Sequence, residues 1–413
     1  MKVLGIVSEY NPLHSGHAFH IRASVEKTGA THVICVMSGH FVQRGEPAVA
    51  DKWVRAKMAL LSGVDLVLEL PVVFSCASAE LFAYGAVRTL HHTRVVDCLS
   101  FGSEQGELGS LWRIASVLYD EPVGYRELLK GYLNEGNSYA AAREKALHGY
   151  LRGLPDTIMS QSNNILAIEY LKALKTLRSS IQPTTIKRQG SSYQETEIAS
   201  SFSSATAIRA YLQNNGSLSD TAMTANLPES SLQLLRQCLE SGRGPVYSEA
   251  FAQTILYKIR MMDPQALKQV PDVKEGLENR LVSCAMKAGT LDELINMATT
   301  VRYPSARIRR ISANLLWGIS KTSLQSFVDD ESCGYLRVLG FNRKGRELLQ
   351  RIHREGSLPL VTKVSSYRNQ LSGLSKEMFE YDIKATDTYV LGFPNPAERF
   401  GNQDFSTPIV RVD

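Results

Sequence analysis

The chain has 413 residues, 44% of them hydrophobic and 21% charged, with 46 Lys+Arg against 41 Asp+Glu for a formal net charge of +5. This balance excludes extended disorder, collagen-like repeats and a solvated polyelectrolyte, and no stretch reaches the ~20 apolar residues that a membrane span needs. At roughly 100–200 residues per domain, the length predicts two or three domains.

The opening Met1-Lys2-Val3-Leu4-Gly5-Ile6-Val7 is apolar, but the run stops at Ser8-Glu9. It is too short for a signal peptide, so a buried strand and a cytoplasmic protein are expected. Apolar runs at Val3–Ser8, His32–Met37, Asp65–Leu70 and Val96–Phe101 predict strands, with helices at Gly16–Lys27, Lys52–Ser62 and Ser78–Leu90 between them. Strands apolar on both faces and separated by helices imply an α/β fold, a doubly wound, Rossmann-like parallel sheet. Helical patterns follow at Ser110–Leu118 and Asn164–Leu177, then a fifth strand at Ser180–Arg188. A Ser/Thr-rich stretch, Gly190–Ser204, runs into a helix at Ala205–Gln213. The turn signal Asn215-Gly216 sets the expected domain boundary, dividing residues 1–215 from 216–413. Residues 220–330 read as helical, and 331–413 mix a basic helix, a short strand at Leu358–Lys363 and a tail without assignment. The second region is therefore expected to be mainly helical.

Cys35, Cys76, Cys98, Cys238, Cys284 and Cys333 are scattered without a C-x-x-C pair. Buried free thiols are expected, and neither a disulfide framework nor a zinc site. Charge is uneven: residues 301–355 carry eleven basic and five acidic residues, more than the whole net charge. The clusters are Arg302, Arg307, Arg309, Arg310 and Arg343, Lys344, Arg346, Arg351, Arg354. A basic stripe is ordinarily a solvated helix face, but this concentration argues for a polyanionic partner such as RNA.

The segment richest in chemistry is Ser8-Glu9-Tyr10-Asn11-Pro12-Leu13-His14-Ser15-Gly16-His17. It joins the first strand to the first helix, where a parallel sheet places its ligand crevice. His14 and His17 lie three apart and project on one side of the helix. Unpaired N–H groups at the helix start are expected to favour a phosphate there. Two imidazoles beside it suit charge developing on an α-phosphate under in-line attack.

This segment resembles the first signature of the nucleotidyltransferase superfamily. Ser203-Ser204-Ala205-Thr206-Ala207-Ile208-Arg209 is similar to its second, with Ala205 standing for one of the usual serines. Between and beyond them lie Met37-Ser38-Gly39-His40-Phe41-Val42-Gln43-Arg44-Gly45-Glu46-Pro47, Asp51-Lys52-Trp53-Val54-Arg55-Ala56, Gly63-Val64-Asp65-Leu66-Val67-Leu68-Glu69-Leu70-Pro71, Phe101-Gly102-Ser103-Glu104, Ser162-Asn163-Asn164-Ile165-Leu166 and Lys187-Arg188. Together these resemble the bacterial tRNA(Met) cytidine acetate ligase family. The likeness continues more loosely through Arg302–Arg310 and Leu339-Gly340-Phe341-Asn342.

The resemblance implies a two-step ligase in a nucleotidyltransferase-like ATP-binding domain. Acetate would attack the α-phosphorus of ATP, giving acetyl-adenylate and diphosphate. The N4 amine of the wobble cytidine of elongator tRNA(Met) would then take the acetyl group, releasing AMP. Cytosine's amine is a weak nucleophile, so an activated acyl donor makes chemical sense. His14, His17 and Arg209 would be catalytic. ATP would be held by Val7-Ser8-Glu9-Tyr10-Asn11-Pro12-Leu13-His14-Ser15-Gly16-His17-Ala18-Phe19-His20, with Asn11 and Gly16 nearest, and by Gly102, Asn163, Arg188 and Thr206. Mg²⁺ would accompany the triphosphate; Glu9, Asp51 and Glu104 are conceivable ligands but more ordinarily caps or surface partners. Gln43, Arg44 and Glu46 fit a substrate-closing loop or a structural turn. The basic clusters would contact tRNA phosphates, and Tyr303 or Trp317 could stack on a base, although core is the commoner role. Two other readings compete: an adenylyltransferase joining AMP to a small phosphorylated metabolite, and an RNA-binding protein with an inactive nucleotide site.

Overall fold

Alternating apolar side chains build a sheet buried on both faces. In the computed structural model, which describes residues 1–188, 203–215, 218 and 221–413, the strands are β1 (Val3–Ser8), β2 (His32–Ser38), β3 (Leu66–Leu70), β4 (Cys98–Ser103), β5 (Gln182–Lys187), β6 (Leu336–Phe341), β7 (Leu360–Val361) and β8 (Val410–Arg411). Val3, Ile34, Val36, Leu66 and Leu68 point into one core, while Leu4, Ile6, Val33, Cys35 and Val67 point into the other. Each such side chain contributes about 1.5–3 kcal/mol on burial. Between the strands run α1 (Ser15–Thr28), α2 (Lys52–Leu61), the short α3 (Val72–Ser75) and α4 (Ala79–Thr93). α1 and α2 supply Ile21, Ala56, Met58 and Leu60 to one core, and α4 supplies Phe82, Val87 and Leu90 to the other.

The sheet order is β5-β4-β1-β2-β3-β6-β7, with β8 also paired to β6. β1 to β5 are parallel. The chain moves outward from β1 through β2 and β3, then returns to lay β4 on the other side of β1. The carboxyl ends of β1 and β4 therefore flank a topological switch point, where such sheets hold ligands.

The expected strands and helices of the first 188 residues lie where the sequence puts them, within a few residues. The Ser/Thr-rich stretch up to residue 202 and Gly216 of the expected boundary turn lie outside the described residues. Residues 221–329 hold helices and, among the described residues, no strand. The last eighty residues differ from expectation. β6, read as part of no strand, pairs antiparallel with β3 and carries β7 and β8. Arg337 interrupts its apolar run and hides the strand signal. The unassigned tail holds the helix Gly373–Tyr389. The second region thus closes the edge of the sheet that the first one builds.

Arg337 is buried because it is paired. Its Nε lies 3.1 Å from Glu69 and its Nη2 2.6 Å from Asp404, while Lys52 Nζ lies 2.9 Å from Glu69 and 2.8 Å from Asp404. Two cations and two anions from α2, β3, β6 and the segment Gln403–Ser406 close a neutral square, with no side chain more than 4% exposed. All six cysteines are free, and five of them are buried.

Candidate functional site

A cavity of about 480 Å³ opens at the switch point. Val7, Ser8, Glu9, Tyr10, Asn11, His14, Gly16, His17, Phe19 and His20 reach it from β1 and the start of α1. Gly102 comes from β4, Asn163 from the helix Ser162–Thr176, Arg188 from the end of β5, and Arg209 from the helix Ala205–Asn215. Of the residues expected to hold ATP, Pro12, Leu13, Ser15, Ala18 and Thr206 do not line it. Leu13 is fully buried in the core, and Thr206 Oγ1 lies 3.4 Å from Arg209 Nη2.

His14 and His17 build the start of α1 as well as facing the cavity. His14 is the N-cap: Gly16 N–H donates to its Nδ1 at 3.1 Å, and its own N–H donates to His17 Nδ1 at 3.3 Å. An imidazole nitrogen that accepts an N–H carries no proton, so in both neutral rings the proton sits on Nε2. The rings lie 3.8 Å apart, with Tyr10 edge-on to His17 at 5.1 Å. Burial, then Arg188 and Arg209, brings His14 down to about 3. Burial, then His14 and Arg188, holds His17 well below its ordinary value. Both are neutral at pH 7, and each offers one Nε2–H donor.

The expectation of unpaired N–H groups at the helix start is corrected. Ser15 N–H donates to Asn226 O, Gly16 N–H to His14 Nδ1, and the N–H groups of His17 and Ala18 to His14 O. Backbone carbonyls and one imidazole occupy these groups, so a phosphate here would meet imidazole and guanidinium donors.

Asn11 ties the strap together. Its Oδ1 accepts from Val49 N at 2.8 Å, and its carbonyl accepts from Arg209 Nη1 at 2.8 Å. Asn11 is buried, and its Nδ2 has no partner among the described residues. Arg209 Nη2 also lies 3.5 Å from Glu46, which lies 3.8 Å from Arg309. On the other flank Arg188 Nη1 donates to Asn163 Oδ1 at 2.8 Å, and Asn163 Nδ2 to Glu104 Oε1 at 2.6 Å. Glu104 Oε2 accepts from Asn164 N–H, capping the following helix. A Cβ on Gly102 would meet only the Arg188 side chain, Cγ at 3.4 Å and Cδ at 3.9 Å. The protein itself tolerates a side chain there, so the open space serves the cavity.

The conceivable metal ligands are otherwise engaged. Asp51 caps α2 and pairs with Arg243, Glu104 caps a helix, and Glu9 Oε1 accepts from Gln43 N–H at 2.9 Å. No group of three His, Cys, Asp or Glu among the described residues could hold a metal ion.

The loop after β2 is fixed by Arg55, which is fully buried and donates to the carbonyls of Ala50, Glu9, Ser38 and Gly39. Gly45 has φ +80, and a Cβ there would collide with the backbone of Arg309 and Arg310. Gln43 and Arg44 of this loop line the cavity, and Ala306 reaches it from the helix Ser305–Trp317. The helix of the first basic cluster therefore borders the cavity, although none of the cluster's arginines lines it. The second is on the helix Arg343–Glu355, where Lys344 Nζ donates to Thr31 O and Glu347 lies 3.4 Å from His32. That is the starting end of β2, about 20 Å from its finish at ~3.3 Å per residue. Tyr303 and Trp317 are both buried, so neither presents a face for stacking.

Sequence reading misses the apolar wall, which includes Ala79, Phe82, Phe101, Leu166 and Tyr170. These sit at helical or strand spacing, where an apolar residue signals core.

The HIGH nucleotidyl transferase family profile matches residues 1–404. The tRNA(Met) cytidine acetate ligase of Acetivibrio thermocellus is 45% identical over 99% of this chain and 100% of its own length. That of Thermoanaerobacter pseudethanolicus is 44% identical over the whole of both. Among solved structures, Thermotoga maritima TmcAL is 37% identical over the whole of both chains. Its TM-score is 0.95 in the apo form and 0.92 in the form bound with alpha-thio ATP. With its cavity at the switch point, its paired histidines and likeness along its whole length, this chain belongs to the HIGH nucleotidyl transferase family and, within it, to the tRNA(Met) cytidine acetate ligases.

Proposed function

We propose that this protein activates acetate with ATP and transfers the acetyl group to the N4 amine of the wobble cytidine of elongator tRNA(Met), releasing AMP and diphosphate. The observation that carries the reading is the pair of neutral Nε2–H donors of His14 and His17, beside Arg188 and Arg209, in a cavity between β1 and β4. Donors set in advance around a reacting phosphate stabilise its transition-state charge without reorganising. The partnerless buried Nδ2 of Asn11 is an unspent donor of the kind a ligand completes.

In the first step acetate attacks the α-phosphorus, and charge growing on the phosphate oxygens is met by the two imidazoles and Arg209. Arg188, oriented by Asn163 and Glu104, pairs with phosphate oxygens. Thr206 supports Arg209. Gly102 leaves room for the adenosine. Mg²⁺ arrives with the triphosphate, and no step is assigned to a protein-held ion. In the second step the cytidine of the anticodon loop, already single-stranded, is splayed into the cavity at modest cost. Contacts to tRNA phosphates from Arg302–Arg310 position it, and those from Arg343–Arg354 hold a more distant part of the molecule. An enzyme acting on ATP and tRNA belongs in the cytoplasm, and no helix among the described residues is long and apolar enough to cross a membrane.

Incubation with labelled acetate, ATP and bulk tRNA tests the reading. Label in tRNA with equimolar AMP release is expected. Pyrophosphate release that needs only a phosphorylated metabolite, or ATP binding without turnover, would overturn it.

A further inference from the structure

The second step, on which this inference rests, needs a group to take the proton that the attacking amine loses. The cavity is poor in bases. His14 and His17 give their Nδ1 lone pairs to backbone N–H groups and keep their protons on Nε2. Burial, then Arg188, brings His20 down to about 4. Burial pushes the Tyr10 and Tyr170 hydroxyls well above their ordinary range. Among the described residues lining the cavity, Glu9 is the only carboxylate.

Its place is also distinctive. Gly102, Asn163 and Arg188 lie on the β4 and β5 side of β1, whereas the Glu9 side chain turns the other way. Its Oε1 accepts from Gln43 N–H in the loop after β2, and its Oε2 accepts no hydrogen bond from a described residue. Gln43, Ala79 and Phe82 share that side, and Gln43 is fastened there by donating to Ala77 O. Ala306, in the first turn of the helix that bears Arg307, Arg309 and Arg310, borders the same cavity.

We propose that this half of the cavity receives the target cytosine, and that Glu9 Oε2 accepts first a hydrogen bond and then a proton from its exocyclic amine. A carboxylate accepting from cytosine N4 is the pairing by which proteins read that base edge, and apolar walls hold a flipped base. As the N4 lone pair forms the bond to the acetyl carbonyl carbon, the carbon–oxygen bond to the adenylate breaks. Its electron pair leaves on AMP, and the amine proton passes to Glu9. Enclosure by protein raises the Glu9 carboxyl above its ordinary value, a direction that suits a general base. Gln43 N–H, Arg209 and Arg44 pull it down and Glu46 pushes it up; Arg55 and Tyr170 also feel its charge.

The test compares wild type, Glu9→Gln and Glu9→Asp in two assays. One is acetate-dependent pyrophosphate–ATP exchange, and the other is single-turnover transfer from enzyme-bound acetyl-adenylate to tRNA. In Glu9→Gln, transfer should fall ~10²-fold or more and lose the acidic limb of its pH–rate profile. Exchange should fall at least ~10-fold less than transfer. Glu9→Asp should recover part of the transfer rate and keep the acidic limb. A parallel fall of both steps in Glu9→Gln, or a transfer profile that keeps its acidic limb there, would overturn the role of Glu9. Absence of tRNA acetylation in wild type would instead overturn the ligase reading, and this proposal with it.

Discussion

At Nδ1 of both His14 and His17 a backbone N–H donates, at 3.1 and 3.3 Å, so each ring's tautomer is set by the start of α1. The H-x-x-H spacing does two jobs at once, capping the helix and aiming two Nε2–H donors. The sequence shows the pair and its place after β1. The tautomer and the occupied N–H groups are not legible in it, because they depend on ring orientation. Replacing His14 or His17 by Ala should lower the rate of acetyl-adenylate formation by about 10²–10³, the usual cost of one oxyanion donor. Pyrophosphate exchange measures it, and a near-normal rate in both variants would remove their catalytic assignment. These imidazoles also load the acid side of the stability curve. His14 is held to about 3 and His20 and His92 to about 4, His17 and His40 are held well below their ordinary value, and His91 is lowered too, all chiefly by burial. Unfolded, such rings bind protons below about pH 6.5; folded, they do not. Stability is therefore fully present above that pH and falls as acid is added, towards the folded-state values. Glu9, Asp382 and Asp387, all raised by burial, oppose this between about pH 4 and their raised values. Six histidines outweigh three carboxyls, so the denaturant midpoint should be lower at pH 5 than at pH 7.5.

Among elements, the loop after β2 and the helix Ser305–Trp317 pack together at the cavity, and the proposed contacts to RNA would act through them. Gly45 lets the loop lie flat on that helix, and Glu46 stands between Arg209 and Arg309. The choice between closing loop and structural turn dissolves at this point: Arg55 holds the loop as structure, while Gln43 and Arg44 line the cavity. The two basic clusters, alike in sequence, lie at opposite ends of β2. Replacing Arg309 and Arg310 by Ala should weaken tRNA binding, flatten its salt dependence by about one unit of slope per lost phosphate contact, and slow transfer from bound tRNA. Replacing Arg343 and Arg346 should weaken binding and flatten the slope while leaving the rate from the saturated complex near wild type. Binding titrations at several salt concentrations with single-turnover rates separate the two. Equal effects on rate would refute this division.

On the scale of the whole molecule, the four-charge square of Lys52, Glu69, Arg337 and Asp404 joins segments hundreds of residues apart. The parallel part of the fold was legible because its strands are short apolar runs between helices. β6 was not, because a strand with Arg337 at its second position and Gly340 near its end reads as loop until Glu69 and Asp404 are seen beside it. Charges that look like surface in a linear string are interior here. Arg337→Met should cost about 3–5 kcal/mol, since it leaves two buried carboxylates facing one cation. Arg337→Met combined with Asp404→Leu should recover part of that loss. Urea unfolding of the three proteins measures it, and a cost under 1 kcal/mol for the single change would show the square to be dispensable.

The antiparallel seam between β3 and β6 also bears on how the polypeptide matures. β3 is a wholly buried run, Leu66-Val67-Leu68-Glu69-Leu70, and its free border stays open until residues 336–341 arrive. For most of translation, then, a nascent catalytic half exposes a bare hydrogen-bonding rim, the kind of border that recruits stray strands. Contacts so remote in sequence are slow to find. The later half thus acts as a late-arriving guard for the earlier one, and a cell that makes this enzyme must shield that rim until β6 is in place.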